Sequence, residues 1–215
     1  MNDNLIEAQY EVSKKSKIRR FYDTNKIFIY SFIFILIISL VSFSFYLGQK
    51  NKKKIEISEN YIQAKIYLGD KKNSEALSLL KNIIFANDQT YSVLSLFMIL
   101  DQDLIKDPSE SLVLFNHVLD NNKFDKEIKN LLIFKKALFS SSQLEETQLI
   151  NELKPLLNAE TMWKAHALLL LGDYFVSKKE YIKARDFYSQ ILSINNLQQD
   201  LYDQAKLQLE LITNN

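Results

Sequence analysis

His117 and His166 are the only two histidines in a chain of 215 residues that contains no cysteine. A catalytic zinc takes three closely spaced protein ligands, usually imidazole, thiolate or carboxylate. No His-Glu-x-x-His pair occurs, so the spacing supports no metal site, and each histidine reads as a surface or half-buried structural residue. The three glycines, Gly48, Gly69 and Gly172, stand alone, whereas a loop that cradles phosphate needs several together. Glu145 and Glu146 are adjacent carboxylates of the kind used in general acid and base work. They lie where a helix should open, though, and acids there complement the helix dipole. Trp163 reads as an anchor between helices rather than a platform for a ligand. The sequence therefore calls for no cofactor, no metal and no small-molecule substrate.

The elements that would have to position any site begin with Ile27 to Leu47, IFIYSFIFILIISLVSFSFYL, which has no charge, proline or glycine. At a rise of ~1.5 Å per residue this stretch is about 31 Å long as a helix, matching the ~30 Å hydrocarbon core of a bilayer. A signal peptide has a shorter apolar run near the start and ends at a small-x-small site. Here 26 residues precede the run, and Ser42-x-Ser44 is a poor cleavage site. Tyr30 and Tyr46 stand where interfacial aromatic rings are expected. Residues 27–47 read as a transmembrane helix through which the chain meets the lipid bilayer.

Lys14, Lys15, Lys17, Arg19, Arg20 and Lys26 precede this run, and Lys50, Lys52, Lys53 and Lys54 follow it. Six positive charges against four lean toward a cytoplasmic N-terminus. Beyond Lys54 there are 17 basic and 22 acidic residues, a balance that excludes a nucleic-acid binder. With three Gly and two Pro among 215 residues, the chain is poor in turn-formers, which points to helices joined by short connections.

From Ile55 onward the pattern is helical and repetitive. Leu168, Leu171, Gly172 and Phe175 fall on one helix and Tyr181, Ala184, Tyr188 and Ile191 on the next. A second-helix triplet spaced by four and three recurs as Ala76, Leu80, Ile83; Ser111, Phe115, Val118; Leu149, Leu153, Leu156; and Ala184, Tyr188, Ile191. Its starts lie 35, 38 and 35 residues apart. Twelve positions before each triplet stand Ala64, Ile99, Ala137 and Gly172. The second unit needs a longer connection, Asp101 to Asp107, with Ser95 taking the small position. The third is irregular because Lys136 stands where leucine is preferred. Ala64, Ala76, Ala137, Gly172, Ala184 and Tyr188 are the expected packing residues, with Gly172 and Ala184 at the closest approach of two helices. Helix starts are expected at Asp107-Pro108-Ser109-Glu110 and at Ser142 with Glu145. Asp200 to Ile212, with Leu201, Ala205, Leu209 and Ile212 on one face and polar residues on the other, would close the array.

This unit resembles the tetratricopeptide repeat. The usual closing proline is replaced by Asn196. The order of parts is similar to the membrane-anchored tetratricopeptide family related to the ancillary subunit of the bacterial Sec translocon. That likeness rests on Glu11-Val12, Arg19-Arg20-Phe21-Tyr22, the single span, and the run from Leu153-Lys154-Pro155-Leu156 through Trp163 to Ala167 and Gly172. It implies a basic cytoplasmic arm at 1–26, a membrane helix at 27–47, a basic linker at 48–54 and an all-α solenoid of about four hairpins plus a capping helix at 55–215. It also implies an inner-membrane protein whose domain is periplasmic, whose partners are translocon subunits, chaperones or clients, and which has no catalysis of its own. The family brings no fixed functional residue. In such a stack the first helix of each hairpin lines a concave face, which places Tyr61, Lys65 and Leu68 in the first hairpin and His166, Leu169, Asp173 and Val176 in the last. An adaptor for a different envelope complex, in cell division or outer-membrane assembly, and an enzyme with a hidden site are the other readings.

Overall fold

The computed structural model describes residues 3–158 and 161–213, with side chains from residue 19 onward. The described residues form nine α-helices and no strand. The chain divides into two units, Met1–Glu56 and Ile57–Asn215.

The first unit is one helix, α1, which spans Asp3–Gly69 and so reaches into the second. It contains the one described stretch long and apolar enough to cross a membrane, and none of that window is buried inside the protein. The basic linker expected at 48–54 is helical throughout. No glycine or proline pair interrupts it, and Gly48 alone costs only about 1 kcal/mol in a helix interior.

The second unit takes the end of α1 and adds eight helices. These are α2 (Asn73–Phe85), α3 (Tyr91–Asp101), α4 (Pro108–Asn121), α5 (Lys126–Ser140), α6 (Glu146–Leu157), α7 (Trp163–Ser177), α8 (Tyr181–Leu192) and α9 (Gln199–Thr213). Connections as short as three residues, 70–72 and 178–180, force consecutive helices to double back on each other. From α2 onward each helix packs against the next, and α2 also meets α4, α5 meets α7, and α7 meets α9. Lys81 of α2 pairs with Glu110 of α4, and Lys183 of α8 with Glu146 of α6 at 2.7 Å. The rings of Tyr61 in α1 and Tyr91 in α3 lie 5.5 Å apart. Such contacts link odd helices with odd and even with even at several places, and the two sets are named the odd and the even layer. Not every such pair is close: α3 and α5, α4 and α6, and α6 and α8 share no Cα pair within 8 Å.

Burial follows the repeating triplet. All twelve of its residues are at most 1% exposed, as are Ala64 and Ala137. Gly172 is also buried. Two apolar clusters result, one from Ala64 to Leu132 and one from Ala137 to Ile212, and α5 contributes to both. Where leucine was expected, Lys136 instead forms an ion pair with Glu152 of α6 at 3.0 Å, and Ser140 Oγ donates to the same carboxylate at 3.2 Å. A half-buried ion pair can hold such a position only with its remaining lone pairs satisfied, which is the part Ser140 plays.

The second hairpin corrects the register drawn from sequence. α1, α3 and α7 close with the same turn, in which Lys72 N–H donates to Tyr67 C=O, Leu104 to Ile99 and Glu180 to Phe175 at 2.8 to 3.0 Å. Each closure places a left-handed residue just beyond the helix: Lys71, Asp103 or Lys179. Aligned on that turn, the partner of Ala64 and Gly172 is Leu96, not Ser95 or Ile99. The connection 102–107 is three residues longer than 178–180, which accounts for the shift. Ser95 is nonetheless buried, with its hydroxyl unpaired.

Helix starts are decided by side chains that accept orphan backbone N–H groups. Asp107 accepts from Ser109 at 2.9 Å with Pro108 at the first helical position, as expected. Asp125 does the same for α5 through Ile128 at 2.9 Å. The cap of α6 is Glu145 rather than Ser142, with Gln148 Oε1 accepting from the Glu145 N–H at 3.1 Å. α9 buries Leu201, Ala205 and Ile212, but its outer face is not uniformly polar, since Leu207 is 56% and Leu211 52% exposed.

The tightest contact is at Gly172. A Cβ built there would stand 2.3 Å from Tyr188 Cε1. The Tyr188 ring is fully buried, and its hydroxyl donates to Asp173 Oδ1 at 2.7 Å, so the ring has nowhere to move. Two stability measurements follow. Gly172→Ala, which helix propensity alone would favour, should instead lower stability by about 1 to 3 kcal/mol in denaturant unfolding, because the overlap outweighs propensity. Lys179→Gly should raise it by about 0.5 to 1 kcal/mol, because a left-handed residue with a Cβ is strained where glycine is not.

Candidate interaction surface

Among the described residues no three His, Asp or Glu side chains gather as metal ligands. His117 serves the packing of α4 against the end of α2: its Nε2 lies 2.9 Å from Asn87 Oδ1, and its ring centroid lies 4.7 Å from that of Phe85.

The second histidine sits among rings. Phe134 of α5 and Trp163 and His166 of α7 have centroids 5.5 to 5.7 Å apart in every pairing. Trp163 Nε1 donates to Glu127 Oε2 at 3.0 Å. Glu127, Asn130, Phe134 and Ala137 recur on one side of α5 at helical spacing, so that side faces α7. Trp163 thereby bridges two hairpins. Half-burial among the rings pushes the His166 pKa down from its ordinary value, since the charged imidazolium loses hydration there.

The seven residues expected on the concave face meet different fates. Tyr61 is half-buried against Tyr91, and burial raises its phenol pKa, with a smaller push from Tyr91. Lys65 is exposed and Leu68 half-buried. Leu169 is 8% exposed and belongs to the second apolar cluster, so it is a core residue rather than a groove residue. The reason is that α7 is enclosed by α5, α6, α8 and α9 and has little free face. Val176 is half-buried against the same cluster. Asp173 is exposed as a residue, but its carboxyl is crowded enough that burial raises its pKa, partly offset by the hydrogen bond from Tyr188. Burial and the same bond hold the Tyr188 phenol above its ordinary value.

Partly exposed apolar side chains stand on α3 and α5, as others do elsewhere, Ile62 and Ile66 on α1, Val113 on α4 and Ile182 on α8 among them. On α3 the exposed arc carries Leu94, 41% exposed, and Asp101, with Phe97 and Met98 half-buried beside it. On α5 the arc opposite the buried side carries Ile128, Leu131, Lys135 and Leu138, of which Leu138 is 44% exposed. Below these stripes α3 and α5 share one apolar cluster through Val93, Leu96, Ile99 and Leu132. The sequence carried their signal as apolar residues left over after the core positions were assigned, Leu94 beside Leu96 and Leu138 beside Ala137.

No family model, curated protein or solved structure matches the chain.

The lowered His166 pKa has a thermodynamic consequence. The folded state holds His166 neutral to lower pH than the unfolded state does. Protons therefore bind the unfolded chain preferentially as pH falls below about 6.5, and stability is lost in that direction. Melting temperature should rise between about pH 5 and pH 7, and His166→Phe should remove part of that rise. An identical pH profile in the variant would mean the imidazole is solvated.

Proposed function

We propose that this protein is a membrane-tethered scaffold that binds other proteins. On this reading α1 crosses the bilayer at 27–47, the basic arm is cytoplasmic, and the second unit is a tetratricopeptide-like stack on the other side. The observation that carries the proposal is the pair of partly exposed apolar stripes on α3 and α5, Leu94 with Phe97 and Met98 and Leu131 with Leu138, beside the charged residues Asp101 and Lys135. An apolar centre with a charged rim is the anatomy of a protein interface. Large uncovered apolar area on a protein marks a membrane or partner contact, and the unburied window of α1 is support of the same kind for the span.

The repeating burial of the triplet, the two layers and the close approach at Gly172 support the tetratricopeptide-like reading. The partners that fit are translocon subunits, periplasmic chaperones or their clients. Tethering beside a translocon raises the effective concentration of the domain near emerging chains, so modest intrinsic affinity suffices.

Two experiments test the parts of this proposal separately. Because the chain has no cysteine, Lys206→Cys and Asp23→Cys give single labelling sites, both exposed. In spheroplasts a membrane-impermeant maleimide should label residue 206 and spare residue 23, and the reverse pattern would invert the topology. The double variant Leu94→Glu, Leu138→Glu alters only partly exposed side chains and should keep native circular dichroism. It should lose co-purification of translocon subunits or chaperones by about tenfold or more, the loss expected when an apolar interface centre is charged. Unchanged co-purification would place the contact elsewhere.

A further inference from the structure

A second feature lies apart from the α3 and α5 stripes. The start of α7, the end of α8, the connection 193–198 and the start of α9 line an open cleft of about 700 Å³. That is within the ~300 to 1,000 Å³ range of ligand sites. Its floor is apolar and buried: Ala165 is 3%, Leu168 2% and Leu201 7% exposed. Its walls carry four primary carboxamides, Gln190, Asn195, Asn196 and Gln198. None of the four has a side-chain hydrogen bond to another described residue. Lys164 also lines the cleft, and its ammonium makes no ion pair with another described residue.

Each carboxamide offers a donor and an acceptor side by side, the complement of a peptide unit. A row of them satisfies an extended backbone without regard to its side chains. An apolar floor takes one apolar side chain, and a single unpaired ammonium at the edge takes one carboxylate. We propose that this cleft binds the C-terminal end of a peptide: the last side chain rests over Leu168 and Leu201, the backbone amides pair with the carboxamides, and the terminal carboxylate meets Lys164. Only Lys164 supplies positive charge to the lining, so the site takes one carboxylate and no phosphate cluster. The site deepens the scaffold reading by naming a class of client segment, yet uses none of the residues on α3 or α5.

The test is fluorescence anisotropy with the full chain in detergent micelles and a labelled pentapeptide ending in leucine, in free-acid and C-terminally amidated forms. The free acid should bind saturably and the amide about tenfold more weakly, the loss of one charge-assisted contact. Lys164→Gln should erase the difference between the two peptides. Asn195→Ala with Gln198→Ala should weaken both about tenfold while circular dichroism stays native. Leu94→Glu with Leu138→Glu should leave the titration unchanged, so failure of the α3 and α5 surface and failure of this cleft read out separately. Equal affinity for the two peptides, wild-type behaviour of Lys164→Gln, or no saturable binding of the free acid would each overturn the proposal.

Discussion

The Tyr188 ring occupies the space that a side chain at residue 172 would need, and this contact sets α7 against α8. α7 is in turn the most enclosed helix of the domain, with nine buried residues between Ala165 and Phe175 and contacts to α5, α6, α8 and α9. Everything in the second half of the domain takes its position from that helix. α5 is joined to it by Phe134 and Trp163, α9 is laid along it, and the peptide-sized cleft opens where its first turn meets the ends of its neighbours. Dense packing of this sort transmits small errors, which is why one added methyl at residue 172 matters more than many surface changes.

Much of the architecture was legible because periodicity is set by geometry. A residue facing a neighbouring helix must recur every three or four positions, so the triplet from Ala76 to Ile191 was readable without any structure, and every member of it is buried. What failed was local. Ser95 was given the small position on counting alone, whereas the closing turn at Asp103 puts Leu96 there. A basic linker was expected at 48–54; lysine-rich sequence is compatible with helix, and α1 continues through it. Ser142 looked like a cap, yet Glu145 with Gln148 starts the helix. Each of these turns on one backbone torsion or one side-chain hydrogen bond, which residue type alone does not determine.

The interaction surface was the least legible part. Positions on the first helix of the first and last hairpins were taken as open because a regular stack leaves that face free. Leu169 is closed off because α9 supplies one more helix beyond the last hairpin. In the middle of the odd layer Leu94 and Leu138 stay 41% and 44% exposed, and α3 and α5 share no Cα pair within 8 Å. In the even layer the gaps between α2 and α4 and between α6 and α8 are bridged by lysine and glutamate pairs. At about half exposure such pairs contribute little stability, and exposed apolar side chains, Val113 on α4 and Ile182 on α8, stand on the same layer.

The most direct measurement of the central claim is photo-crosslinking in living cells with a photoreactive amino acid placed at Leu138, at Leu94, or at Ile182 on the even layer, where the side chain is 81% exposed. If the odd layer of a membrane-tethered scaffold receives partners, Leu138 and Leu94 give discrete adducts with the same envelope proteins. Ile182, although more exposed, gives none. Adducts from Ile182 as abundant as those from Leu138, or no adduct from either odd-layer position, would contradict the account.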